Sequence, residues 1–224
     1  MLKFSVILLL GLILAPVSLT FAASPPTTSR LNSIVMLGPS NGWAVGDSGT
    51  VLHFDGFSWS PVPSGISLDL VGLSFGLPNS LLPTSGFAVG GSGGVATAIH
   101  WDGVAWGSIT QGLSAVGSQR IASVSEVSPT DAWAADSSSG TIWHWSGNPT
   151  SGGWVPVSTA MAGLNSIFML SSSEGWAVGS GGIIYRFTGG GWTLYSTVGT
   201  TLNSVFMLKV RILETSSAPS RAAW

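Results

Sequence analysis

Along most of the chain, apolar runs of about four to seven residues alternate with breaks built from Gly, Ser, Asp, Asn and Pro. The first complete cycle reads Leu31-Asn32-Ser33-Ile34-Val35-Met36-Leu37, a Gly/Pro/Ser/Asn break, Gly42-Trp43-Ala44-Val45-Gly46, an Asp-Ser-Gly turn, Thr50-Val51-Leu52-His53-Phe54, Asp55-Gly56, then Phe57-Ser58-Trp59-Ser60-Pro61-Val62. Runs this brief, bounded by turn formers, predict four strands and no helix. Neither face of these strands reads as polar. A sheet held between two neighbours buries both faces and loses the alternation of apolar and polar residues, so the pattern predicts stacked sheets.

The cycle recurs. Copies of Gly42 to Gly46 stand at Gly86-Phe87-Ala88-Val89-Gly90, Ala132-Trp133-Ala134-Ala135-Asp136 and Gly175-Trp176-Ala177-Val178-Gly179, spaced by about 43 to 46 residues, the length of one propeller blade. Units run over about 31–69, 70–120, 121–163 and 164–201, and their insertions, Leu81 to Thr84 and Asn148 to Gly153, fall at turns. A fifth unit opens with Leu202-Asn203-Ser204-Val205-Phe206-Met207-Leu208 and then departs from the pattern. Lys209 to Trp224 holds no copy of Gly-Trp-Ala-Val-Gly and carries three of the seven basic residues. The expected fold is therefore all-β, a β-propeller of four-stranded blades with four full repeats and the first strand of a fifth. The break at Leu208 reads as an incomplete array (a fragment, a shifted frame or a mis-placed gene end) in preference to a natural cap, because repeat arrays need a proper terminal unit.

Composition narrows the function. Only 7% of residues are charged and the formal net charge is -2, which argues against a nucleic-acid surface, since that needs clustered Lys and Arg. Cysteine is absent, so disulfides, thiolate metal sites and cysteine nucleophiles do not arise. Met1 to Ala23 has a basic start at Lys3, an apolar run from Phe4 to Leu14 and small residues at Thr20 and Ala22. That is the pattern of a secretory signal, with an uncleaved anchor as the alternative, and it places the protein outside the cell or on its surface with no membrane span after cleavage. Ser24 to Arg30 is a Pro, Ser and Thr linker with nothing to bury.

The repeated L-N-S-I-x-M-L, G-W-A-V-G, G-x-I-x-x-F and D-G-x-x-W elements, from Leu31 to Leu208, resemble the BNR/Asp-box-like propeller repeats, especially the photosystem II assembly and stability factor type and its secreted relatives. Asp55 to Trp59 and Asp102 to Trp106 look like shortened Asp-box turns, while Ser146 and Thr188 replace the Asp in the other two units. The resemblance implies a propeller that binds other proteins. Glycosidase members would instead use Arg, Tyr and acidic residues on one face.

Candidate chemistry is sparse. Gly46-Asp47-Ser48-Gly49 has the look of a trypsin-type nucleophile loop, but the corresponding turns read Gly90-Gly91-Ser92-Gly93 and Gly179-Ser180-Gly181-Gly182, and no His precedes Ser48. His53, His100 and His144 share one repeat position with Arg186. Lying on the third strand of each unit, away from the axis, they are not expected to meet around zinc. A long polar side chain between blades or at the rim is the expectation, with a polar ligand surface as the alternative. Trp43, Phe87, Trp133 and Trp176 form one aromatic column and Trp59, Trp106, Trp154 and Trp192 a second, both expected to pack between blades. Trp101, Trp143 and Trp145 lie outside the columns and are expected to be freer for exposure to a sugar or protein. No paired carboxylates suit a glycosidase, because Asp55 and Asp102 are repeat equivalents. No cofactor is implied. The reading is an exported, non-catalytic scaffold with a protein partner; the alternatives are a lectin-like propeller and, behind it, a glycoside hydrolase.

Overall fold

The computed structural model describes residues 26–76, 85–113, 120–147, 153–158 and 163–208. The signal segment, the Leu81 to Thr84 insertion, most of the insertion before Trp154 and the tail from Lys209 lie outside the described residues. Sixteen strands among the described residues form four antiparallel sheets of four. The first blade contains β1 (Leu31–Gly38), β2 (Asn41–Gly46), β3 (Val51–Phe54) and β4 (Trp59–Pro61). The second contains β5 (Leu70–Ser74), β6 (Gly86–Ser92), β7 (Val95–Trp101) and β8 (Trp106–Ser108). The third contains β9 (Ile121–Ser128), β10 (Asp131–Asp136), β11 (Ile142–Trp145) and β12 (Trp154–Ser158). The fourth contains β13 (Leu164–Ser171), β14 (Glu174–Gly179), β15 (Ile183–Phe187) and β16 (Trp192–Thr197).

Each blade is a meander in which every strand pairs with the next, as short turns between antiparallel strands require. The register recurs. Ser33 faces Val45 and Ile34 faces Ala44 in the first blade, and Ser166 faces Val178 and Ile167 faces Ala177 in the fourth. β1, β5, β9 and β13 lie against one another in succession and so form the innermost layer.

Serine hydroxyls stitch that layer together. The Glu126 N–H donates to Ser74 Oγ at 3.0 Å, Ile167 N–H to Ser123 Oγ at 3.2 Å and Met169 N–H to Ser125 Oγ at 2.9 Å. Each of these bonds satisfies a main-chain amide that has no partner strand on the axial side.

Both faces of the inner blades are covered, which removes the alternation of apolar and polar residues. Ala88, Val89, Ala98 and Ile99 in the second blade are fully buried, as are Ala134, Ala135, Ile142 and Trp143 in the third. This corrects one expectation: Trp143 and Trp145 are buried core residues, and Trp101 packs 4.9 Å from Trp43. A residue outside the repeat columns is still enclosed when its blade is sandwiched.

The four sheets do not close into a ring. Ile34 and Met36 on β1, and Leu194 and Tyr195 on β16, are correspondingly exposed. Residues 202–208 run alongside the fourth blade without forming a ladder. Among the described residues, the expected fifth strand is thus positioned beside the fourth blade without a ladder partner.

Candidate functional site

The third-strand column holds the residues whose chemistry looked most like a site. His53 lies on β3, His100 on β7, His144 on β11 and Arg186 on β15, opposite Trp43, Phe87, Trp133 and Trp176 of the adjoining second strands. Antiparallel register therefore places each cation-capable group beside an aromatic ring of its own blade. The ring centroids are 4.4 Å apart for Trp43 and His53, 4.6 Å for Phe87 and His100, and 4.2 Å for Trp133 and His144. The Arg186 guanidinium sits 5.2 Å from the centre of the Trp176 ring, a cation–π contact.

The polar end of each side chain is engaged as well. His53 Nε2 meets Asn41 Oδ1 at 3.1 Å, His100 Nε2 meets Ser85 Oγ at 3.0 Å and His144 Nε2 meets Asp131 Oδ1 at 3.0 Å. Arg186 Nη2 donates to Glu174 Oε1 at 3.1 Å. The partner is always the residue two positions before the aromatic, at the entry to the second strand. Asn, Ser, Asp and Glu do not look alike in sequence, so this coupled position was missed; the repeat alignment with the third strand was the signal that could have found it. Burial lowers the pKa of His100, with Asp102 acting weakly against it.

These four brackets stay in their own blades. Among the described residues, no group of three His, Asp or Glu side chains is gathered in a way that could hold a metal ion. No helix there is long and apolar enough to cross a membrane.

The aromatic columns meet across blade boundaries. Trp43 packs against Phe75 at 5.6 Å and edge-on to Trp106 at 5.7 Å in the second blade. Phe87 reaches Trp145 at 6.3 Å and Trp154 at 6.1 Å in the third. Trp133 reaches Phe187 at 4.8 Å and Trp192 at 5.9 Å in the fourth. The second-strand aromatic is thus a plug that enters the following blade against its fourth-strand tryptophan. Among the described residues Trp176 has no complete blade ahead of it, and it takes the edge of Tyr195 at 5.0 Å. Trp59, with no blade behind it among the described residues, packs on Phe54 of its own sheet.

Ser48 belongs to a turn. It occupies a single 3-10 turn, Asp47–Gly49, with φ 57°, and its N–H donates to Asp69 Oδ1 at 2.9 Å. The fourth blade repeats the turn at Ser180–Gly182, where Gly181 takes the same left-handed conformation with φ 68°. The turns between third and fourth strands are also built from side chains: Asp55 Oδ1 accepts from Phe57 and Ser58 N–H, and Asp102 Oδ1 from Val104 and Ala105 N–H, each at 2.9 Å. These main-chain donors, led by Ser58 and Ala105, hold both carboxyl pKa values below the ordinary range. The turn leaves Phe57 almost wholly exposed, with Val104 exposed at the equivalent place.

Radially stacked four-stranded meanders, innermost first strands and blade-to-blade aromatic plugs define a β-propeller fold. Solved structures of the same architecture include YCF48 bound to D1 peptide (18% identity, TM-score 0.58, 82% of this chain and 59% of that one). YCF48 from Cyanidioschyzon merolae is similar at 18% identity and TM-score 0.59, over 83% of this chain and 62% of that one. U3-55K follows at 9% identity and TM-score 0.59, over 79% and 55%. The chain spans less than two thirds of the length of these structures. No protein-family model matches it, and no curated protein does.

Proposed function

We propose that this chain is an exported, non-catalytic β-propeller that acts as a protein-interaction or assembly scaffold. The observation that carries the reading is the engagement of every candidate polar group inside its own blade: His53, His100, His144 and Arg186 each have a partner and an aromatic neighbour in place. Phe57 and Val104 at the tips of the turns remain exposed as apolar surface, which suits protein association. The likeness to YCF48, one structure of which is titled as bound to a D1 peptide, supports the same choice. So does the resemblance of the repeats to BNR/Asp-box-like propellers of the assembly-factor type, and the Asp55 and Asp102 turns agree with an Asp-box origin.

The test is a three-way comparison on purified chain. Chromogenic glycosides should give no turnover, a glycan array should give no signal above background, and cross-linking in the native envelope should trap defined protein partners. Turnover or selective glycan capture without protein partners would replace the scaffold by a hydrolase or a lectin-like propeller.

A further inference from the structure

Glu126 stands in a column that is otherwise apolar. Met36 pairs with Gly42 and Met169 with Gly175 as Glu126 does with Ala132, and Phe75 lies against Gly86 at the same place in the second blade. The third blade thus carries a carboxyl group, only 7% exposed, where the others carry Met or Phe. A carboxylate so enclosed needs charge or hydrogen bonds around it.

Among the described residues no charged side chain faces it. β5 brings Ser74, the segment entering β6 brings Ser85, β10 brings Ala132, and β13 brings Ile167 and Met169 against the same strand. Asp131, beside Ala132, is taken by His144 and Trp133. Residues 77–84, outside the described residues, include no titratable side chain. Glu126 Oε2 accepts the Gly76 N–H at 2.7 Å, and Oε1 is buried without a partner. An ionised carboxylate would leave charge on that bare oxygen, whereas the neutral acid needs a partner only for its O–H.

Ser85 supplies that partner. Its hydroxyl hydrogen-bonds the Glu126 carboxyl group across the blade boundary and meets His100 Nε2 at 3.0 Å within its own blade. Ser85 is buried, while the His100 ring is partly exposed. Asp102 is the charged group that acts on His100, and its Oδ1 is held by turn amides. Burial favours the neutral form at both ends, raising the pKa of Glu126 and lowering that of His100.

A hydroxyl carries one proton, so this chain of three groups has two directions. With Glu126 neutral, its O–H donates to Ser85 Oγ, Ser85 O–H donates to His100 Nε2, and the imidazole carries its proton on Nδ1. With Glu126 ionised, Ser85 O–H donates to the carboxylate and His100 Nε2–H donates to Ser85 Oγ. We infer that Ser85 and His100 form a proton wire joining buried Glu126 to solvent across the joint of the second and third blades, and that ionisation of Glu126 reverses it. The protons balance: that of Glu126 passes to Ser85, that of Ser85 to His100 Nε2, and that of His100 Nδ1 to water. This joint is thereby pH-sensitive, independently of the scaffold reading.

Nitrogen NMR of the full chain, isotope-labelled at its histidine rings and glutamate carboxyls, reads the wire directly, because protonated and bare ring nitrogens resonate far apart. The pH is raised from below 4.5 to above 6.5. Neutral His100 should hold Nδ1–H while Glu126 keeps its proton, and should pass to Nε2–H with the same midpoint as the Glu126 carboxyl signal. Glu126→Gln and Ser85→Ala should each remove this change and Ser85→Thr should retain it, while His53 and His144 show none that follows Glu126. Tryptophan fluorescence must show each variant folded, and the measurement on the parent chain decides alone if one is not. A His100 ring that keeps one tautomer through the Glu126 titration, or a tautomer change that persists in folded Glu126→Gln or Ser85→Ala, would overturn the wire.

Discussion

The imidazole of His144 lies 4.2 Å from the indole of Trp133, with 29° between their planes, while its Nε2 is held by Asp131. Stacking and hydrogen bonding on one ring fix the second and third strands of the blade to each other.

Replacing His144 by Ala should therefore lower stability by about 1–2 kcal/mol, since it removes a hydrogen bond and a ring contact and leaves Asp131 with the Trp133 indole N–H as its side-chain partner. Urea unfolding of the purified chain measures this. The double change His144→Arg with Asp131→Glu copies the Arg186 and Glu174 pair of the fourth blade and should recover most of the loss. Failure to recover would show that the bracket depends on context beyond its own three residues.

Trp43 is the plug between the first and second blades. Trp43→Ala should cost about 3–5 kcal/mol, as large aromatic truncations in cores do. Trp43→Phe should cost less than about 1.5 kcal/mol, because Phe87 serves the same position one blade later. Trp176→Ala should be milder than Trp43→Ala, since the ring contacts of Trp176, with Tyr195 and Arg186, come from its own blade and it is less buried than Trp43. Thermal melts of the three variants rank them directly.

Glu126 is 7% exposed, and its carboxylate accepts the Gly76 N–H at 2.7 Å. Burial raises its pKa above the ordinary 4.5. The folded state then holds this proton at pH values where the unfolded chain has released it, so stability falls as pH rises from 4.5 through the raised value. Glu126→Gln should flatten that decline and leave a more stable protein at neutral pH. A steeper decline in the variant would contradict the burial argument. His100 works in the opposite direction: its lowered pKa makes stability fall as pH drops below 6.5, and His100→Gln separates the two effects.

Ser48 stands in a left-handed turn that the fourth blade builds with Gly181. Ser48→Gly should stabilise the chain by roughly 1 kcal/mol through relief of that conformation. A serine-directed fluorophosphonate should leave Ser48 unlabelled. Stoichiometric labelling, detected by mass spectrometry, would revive the nucleophile that the turn geometry disfavours.

Much of the fold was legible because it depends on local chemistry. Four short apolar runs per unit, glycines at strand ends and Asp-Gly turns specify a meander whatever surrounds it, and Asp55 and Asp102 act within three residues of themselves. The candidate site was legible only as a column. That His53, His100, His144 and Arg186 are equivalent follows from the repeat, but their partners Asn41, Ser85, Asp131 and Glu174 share little beyond a polar side chain. Trp143 and Trp145 were misjudged for a related reason: burial there comes from neighbouring sheets.

By itself the sequence determined the repeat length, the strand content, the turn residues and the existence of two aromatic columns, since each arises from interactions over a few positions of the chain. Only the tertiary structure decided that the Trp43 column points forward into the next blade and that Ser123 and Ser166 tie each inner strand to the one after it. It alone placed residues 202–208 against the fourth blade. Those features join residues of different sequence repeats, far apart along the chain, and such contacts are set by how sheets twist and stack, which no local pattern of apolar and polar residues encodes.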